Sequence, residues 1–295
     1  GTNTVLLLVA EKRGEELIAI EERATITRLG EGVDKSRELK PEAIARTSAA
    51  LDAYAEISKR LGVEKMAVVG TSAMRDARGG EKIRAHVKEK FGVDARVLSG
   101  DEEARMTFAG ALSGLSISKS DDVAVFDIGG GSTEIVCGKN GVISYAHSFD
   151  IGSVRLTERH VKSDPPTPEE ISILEKTAAD QFAPAQSVRA SHVVGIAGTV
   201  TTLTAVALEM KDYDGARVHG QVMTRETISK TVKRLASLPL SQRQNVTGLE
   251  PKRADVIVAG GIIALAALDA LGAKNVTISD RGVRWGLALE LANEE

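Results

Sequence analysis

Cysteine is almost absent. Cys137 stands alone, which excludes a disulfide scaffold within the chain and suits a reducing compartment such as the cytoplasm. Charge of one sign is not in excess either: a net charge of −3 provides no global field for nucleic acid, so a polyanion must be met by a local basic patch. No apolar run is long enough for a membrane span, and the first residues lack the basic stretch of a signal peptide, so neither is expected. The five histidines (His86, His147, His160, His192 and His219) are scattered without ligand spacing, which argues against zinc. What is present is ordinary for a globular enzyme, with 42% hydrophobic and 27% charged residues. A length of 295 residues exceeds the usual single core and suggests two domains.

The rest of the chain is organised around residues 123–136, VAVFDIGGGSTEIV. An apolar run with Asp127 near its end reads as a buried strand. Gly129, Gly130, Gly131 and Ser132 then make a turn, and a β-branched stretch carrying Glu134 returns as a second strand. A Walker A loop needs Gly-Lys-Ser/Thr and a following helix, and a dinucleotide fingerprint also opens a helix; neither pattern is met. A glycine-rich tip of this kind can cradle phosphate oxygens while flanking carboxylates hold a divalent cation. The same residues also read as a plain hairpin whose glycines supply positive φ.

Gly1-Thr2-Asn3-Thr4 followed by an apolar strand echoes that pattern, although no strand precedes it in this sequence. Residues 17–26 read as a strand, 42–61 as a helix opened by Pro41, and 65–70 as a strand leading into a loop, 71–76. Arg75 in that loop lies where open α/β sheets bind ligands, and it reads either as a phosphate ligand or as a solvated arginine. In Ser99-Gly100-Asp101-Glu102-Glu103, Ser99 and Glu102 have capping-box spacing, yet three adjacent carboxylates exceed what a cap requires. One of them is available as a general base.

Residues 113–122 are polar and serine-rich, as a linker would be. Further on, Gly152-Ser153 starts a helix with Arg155 in its first turn, an arrangement that suits an anion or a simple cap. Gly198-Thr199 forms a second turn leading into a helix at residue 203, with the same two readings. Residues 253–271 read as a buried helix containing Gly260-Gly261, and residues 283–292 as a final helix.

Taken in order, GTNTV, GTSAMRDA, SGDEEARMTFAGA, VFDIGGGSTEIV, FDIGSVRLTE, GIAGTVTTLTA, RADVIVAGG and SDRGVRWGLA resemble the exopolyphosphatase / guanosine pentaphosphate phosphatase family. That family belongs to the actin, sugar-kinase and heat-shock-chaperone ATPase superfamily. The resemblance implies an α/β fold of two ribonuclease-H-like domains with mixed sheets, helices around them and a cleft between. The first domain would span residues 1–118 joined by helix 281–295, and the second residues 119–280.

The resemblance also implies roles. Glu103 falls on the catalytic glutamate and Arg75 on a phosphate-contacting arginine. Asp127 and Glu134 match carboxylates for Mg²⁺ (or Mn²⁺). Thr2, Asn3 and Thr4, and Gly129, Gly130, Gly131 and Ser132, match two phosphate loops, with Gly198 and Thr199 as a further phosphate turn. Arg155, Arg243, Arg253, Arg281 and Arg284 are candidate basic contacts. The family's N-terminal aspartate has no counterpart here. Length implies the short two-domain form.

The implied activity is exopolyphosphatase hydrolysis releasing orthophosphate, in the cytoplasm, with polyphosphate as substrate, no nucleic acid or membrane partner, and room for a homodimer. Guanosine pentaphosphate hydrolysis, a silent guanosine tetra- or pentaphosphate sensor, and an ATP-dependent kinase or ATPase are the alternatives. Glu103 in its SGDEEA setting favours the phosphatase over the kinase.

Overall fold

A computed structural model describes residues 2–14 and 16–294, so the part of the N-terminal echo that rests on Gly1 lies outside the described residues. The chain divides into two compact units, Gly1–Gly110 with Val283–Glu295, and Ala111–Gly282. In the first, β1 (Thr4–Arg13) and β2 (Glu16–Ile26) pair antiparallel with a register shift at Val9/Ala10. A short turn of helix, α1 (Val33–Ser36), precedes α2 (Pro41–Arg60). Proline at its start, Glu42 in its first turn and Lys59 and Arg60 in its last complement the termini of α2. Next come β3 (Val68–Gly70), α3 (Ser72–Asp76), α4 (Gly80–Phe91) and β4 (Ala95–Val97), with β3 and β4 parallel. Ala43, Leu51, Ile83 and Val87 form part of this unit's core. α5 (Gly100–Leu112) follows, its last two residues lying beyond Gly110, where this unit's first segment ends.

The second unit opens with β5 (Val123–Ile128), β6 (Thr133–Lys139) and β7 (Val142–Phe149), followed by α6 (Ser153–His160) and α7 (Pro168–Phe182). β8 (His192–Ile196), α8 (Ala197–Ala207), α9 (Gly215–Val218), β9 (Val222–Thr224), α10 (Arg225–Ala236) and α11 (Leu240–Arg243) continue it. It closes with α12 (Ile257–Ala270) and β10 (Asn275–Ile278). The sheet order is β7-β6-β5-β8-β10-β9, with β8 parallel to both β5 and β10 and the other pairs antiparallel. β5 is therefore central, and all of it is buried except Asp127, which is half-buried. α12 is apolar except at the exposed Asp269 because it is buried on nearly every other side. Gly260 lets Thr199 approach, since a Cβ there would stand 2.8 Å from Thr199 Cγ2.

α13 (Val283–Asn293) belongs to the first unit, where Trp285 is buried and Gly286 lies on the Met106 backbone. Arg96 Nη2 holds Glu290 at 2.8 Å, and Arg284 pairs with Glu22. In unit 2, β5 lies between β6 and β8; among the described residues the strands of unit 1 form two separate two-stranded sheets, β1-β2 and β3-β4.

Two loops expected from the sequence are helical. Residues 72–76 close into α3 because the Thr71 carbonyl accepts the Met74 and Arg75 amides at 2.9 and 3.1 Å. α8 begins at Ala197 rather than at 203, made possible by a left-handed residue, Ala197 at φ 67°, just after the strand. Conversely, α12 starts only at Ile257, the preceding residues forming a separate short turn.

The two ends of unit 2 are tied together. Arg281 Nη1 donates to the Ser113 carbonyl at 3.0 Å and to its hydroxyl at 2.8 Å. His219 stands beside them, its Nδ1 3.2 Å from Ser279 Oγ. Desolvation, and after it the Arg281 charge, holds this imidazole below its ordinary value of 6.5, outweighing Asp280 and the nearby Gly114 and Ser113 carbonyls. The unfolded chain then takes up the proton more readily, so stability falls as pH drops below about 6.5. His219→Gln is expected to flatten that slope. Thermal midpoints at about pH 7.5 and 5.5 check it, and parallel losses in variant and wild type would contradict it.

Candidate phosphate-handling site

The glycine bend between β5 and β6 is held from both sides. Gly129 N donates to Ser132 O at 2.9 Å, closing the turn. The carbonyls of Gly129 and Gly130 accept the amides of Ser153, Val154 and Arg155, each at 3.0 Å. This corrects one expectation: the first-turn amides of α6 are spent on the bend and are not available to an anion. Of the bend's own amides, that of Gly129 is spent on Ser132, which corrects its expected phosphate contact, and the other three remain. Among the described residues, Gly130, Gly131 and Ser132 donate to no backbone or side-chain acceptor, and all three are half-buried. Consecutive unspent amides on a turn make an anion cradle. Gly152 makes the close docking possible, since a Cβ there would overlap the backbone of Gly130 and Gly131.

Beside the cradle, Asp127 and Glu134 are direct cross-strand partners, and Glu134 is in turn opposite Ser148 on β7. Opposed residues share a face, so these three form a polar row across β5, β6 and β7. Ser148 Oγ donates to Glu134 Oε1 at 2.6 Å, which fixes that carboxylate. Among the described residues no group of three or more His, Cys, Asp or Glu is assembled for a metal. Two carboxylates beside a phosphate cradle nevertheless fit a magnesium-type ion, which takes one or two carboxylates and completes its shell with water and phosphate oxygens.

In the first unit, two of the three carboxylates at the start of α5, Glu102 and Glu103, separate by role. Glu102 Oε2 accepts the Ser99 amide and hydroxyl, both at 2.8 Å, and Ser99 Oγ accepts the Glu102 amide at 3.3 Å. The capping box is real, and the Ser99 backbone and side-chain bonds hold the Glu102 carboxyl below its ordinary value. Glu103 instead meets Arg75, Oε2 to Nη1 at 3.3 Å, while the same Nη1 donates to the Leu98 carbonyl at 2.8 Å. Asp76 lies 3.5 Å from Arg75 Nε. Arg75 is thus an anchored guanidinium that holds Glu103, rather than a solvated arginine.

At the N-terminal turn, the Thr2 carbonyl accepts Gly30 N at 2.8 Å and the Asn3 carbonyl accepts Thr27 N and Arg28 N at 3.0 and 2.9 Å. Thr2 Oγ1 meets Ser72 Oγ at 2.7 Å, and Asn3 Nδ2 meets Thr4 Oγ1 at 3.4 Å. The turn is docked through its carbonyls, as the bend at Gly129 is.

The α8 start is more enclosed than the sequence suggests. Gly198 is covered by the Arg253 guanidinium, which a side chain at 198 would overlap, and Thr199 is 4% exposed, its side chain against Gly260. Only main-chain groups of this turn can serve a ligand. Of the five candidate basic contacts, Arg243 needs the largest correction. It is 3% exposed and donates to the carbonyls of Leu235, Ala254 and Leu238 at 2.9, 2.9 and 2.7 Å. Its charge is used to terminate loops around α11, not to meet substrate. Arg243→Met would strand those carbonyls at about 1–3 kcal/mol each, so we expect a stability loss of about 3 kcal/mol in urea unfolding. Weaker substrate affinity at unchanged stability would return this arginine to the site. Arg281 and Arg284 are engaged with Ser113 and Glu22. Arg155 pairs with Asp150, and its guanidinium lies 3.5 Å from where a Cβ added at Gly131 would stand.

Sequence reading missed Ser148, Asp150 and the steric role of Gly152. Ser148 had a usable signal in its strand register with Glu134; the other two depend on where α6 packs.

In unit 2, an amide cradle beside paired carboxylates suits phosphate oxygens, and unit 1 carries by itself a glutamate held by an arginine, features compatible with an α/β protein that handles phosphoryl groups. Comparison with known proteins narrows this class. The Ppx/GppA phosphatase family matches residues 8–295, and the chain belongs to that family. Exopolyphosphatase 2 of Mycobacterium tuberculosis (strain ATCC 25618 / H37Rv) is 38% identical over 310 residues, covering 99% of this chain and 96% of its own. The bifunctional 3-dehydroquinate synthase/phosphatase of Fusobacterium nucleatum is 32% identical over 311 residues, covering 98% of this chain and 45% of its own. The crystal structure of the Aquifex aeolicus Ppx/GppA family member superposes with a TM-score of 0.85 at 32% identity, over 100% of this chain and 96% of that one. The family and the actin-like α/β class expected from the sequence both hold. Among the described residues no helix is long and apolar enough to cross a membrane.

Proposed function

We propose that this protein is an exopolyphosphatase that removes terminal orthophosphate from inorganic polyphosphate. The observation that carries the reading is the row of unspent amides at Gly130, Gly131 and Ser132 beside the opposed Asp127 and Glu134. Phosphoanhydride hydrolysis needs little covalent help from protein; it needs neutralised oxygens and a prepared water. The cradle amides bind phosphate oxygens, and the Thr2–Thr4 turn, with the amides at Gly198 and Thr199, offers further contacts of the same type. Glu103 accepts the proton of the attacking water as its oxygen bonds to the terminal phosphorus. The P–O bond to the remaining chain breaks, giving orthophosphate and a polyphosphate one unit shorter. Arg75 keeps Glu103 in place. Asp127 and Glu134 would hold Mg²⁺ or Mn²⁺, which when bound neutralises phosphate oxygens. A cytoplasmic setting suits the lone Cys137, whose thiol is pushed up to about 11 by burial and stays protonated.

The test is phosphate release with Mg²⁺ from short and long polyphosphate, guanosine pentaphosphate and ATP. Short polyphosphate is expected to turn over best, and chelation to abolish it. Equal or better turnover of guanosine pentaphosphate would overturn the substrate assignment.

A further inference from the structure

We propose that Asp150 is a built-in competitor for the phosphate bound at the glycine bend, occupying Arg155 until substrate displaces it. This inference rests on the phosphate reading of the bend given above. Three observations place the competition. Arg155 grows from the first turn of α6, whose amides are bonded to Gly129 and Gly130, so its backbone is fixed to the bend. Its guanidinium stands 3.5 Å from where a Cβ on Gly131 would lie, on the side chain's side of a residue whose amide is unspent. An anion in the cradle is therefore within reach of a fork that suits phosphate and carboxylate alike.

The carboxylate at Asp150 already takes part of that fork. Arg155 and Asp150 form an ion pair in which the arginine side chain is 17% exposed and the aspartate 74%. The chain after Asp150 is immobilised, with Ile151 buried and Gly152 against the bend, while its carboxylate projects into solvent. An exposed carboxylate gives up such a pair at little cost, because water and counterions replace the arginine. Once phosphate arrives, Arg155 turns its donors toward it, and Asp150 remains as a like charge beside the polyanion. The pair thereby weakens retention of phosphate and favours release of the orthophosphate product.

The test is a double-mutant cycle read by calorimetric binding of tripolyphosphate and by kcat and KM for polyphosphate, with thermal midpoints as the folding check. Asp150→Asn is expected to tighten tripolyphosphate binding and lower KM about fivefold, the size expected for one exposed charge pair. Arg155→Gln weakens both by about tenfold or more, and adding Asp150→Asn to it yields no gain. A gain of equal size in the Arg155→Gln background would show a simple field effect and overturn the competition. So would unchanged affinity in Asp150→Asn. Should Arg155→Gln not fold, Arg155→Lys serves, since it keeps the charge but loses the fork; the gain from Asp150→Asn must then shrink. Wild-type protein that binds tripolyphosphate but does not hydrolyse polyphosphate would sink the exopolyphosphatase reading and leave the competition standing.

Discussion

Glu103→Gln is expected to lower phosphate release from polyphosphate about a thousandfold, the range for a missing general base, with the fold intact. The amide can still accept a hydrogen bond from Arg75, which in the wild type reaches Glu103 Oε2 at 3.3 Å, so the side chain keeps its place. What it loses is the capacity to take a proton. Its neighbour provides the contrast. Glu102 is bonded to the Ser99 amide and hydroxyl, so Glu102→Gln weakens the start of α5 and leaves turnover largely unchanged. The Glu102 carboxyl is held below 4.5 in the folded chain, so its stabilisation is present above that pH and fades as acid protonates it. Measuring phosphate release and thermal midpoints for both variants separates the two roles. A Glu102→Gln enzyme as inactive as Glu103→Gln would show that the assignment is wrong.

The second large effect lies outside the glycine motif. Gly152→Ala places a methyl group on the carbonyl of Gly130 and the amide of Gly131, which are backbone atoms and cannot rotate away. The bend must lift off α6, breaking the three bonds from Ser153, Val154 and Arg155 to its carbonyls. We expect a loss of about a hundredfold or more in turnover, comparable to removing a donor aimed at developing charge. Overpacking adds about 1–3 kcal/mol of instability. Gly131→Ala should be far milder despite its position in the motif, because its methyl group would stand 3.5 Å from the end of a flexible arginine. Phosphate release by the two alanine variants decides it, and the reverse ranking would refute the account.

These contrasts show what was readable in the chain. The bend at Gly129–Ser132 and the carboxylates beside it were legible because strand, turn and strand are contiguous. Opposition of Asp127 and Glu134 follows from counting back from one turn. The cap at Ser99 and Glu102 was legible for the same local reason. Arg243 was misread because an arginine's fate depends on carbonyls brought from Leu235, Leu238 and Ala254 by tertiary packing. Gly152 looked like a turn residue, since nothing nearby in sequence announces that another backbone presses on it. The pairing of Arg75 with Glu103 likewise joins elements separated by α4 and β4.

The staple between Arg281 and Ser113 has a consequence for how such a chain can be handled. Residues 111–282 form a cassette spliced into the sequence of the other unit, entering and leaving through neighbouring points. A segment with adjoining ends and a core of its own is the kind that tolerates excision, transplantation or circular permutation.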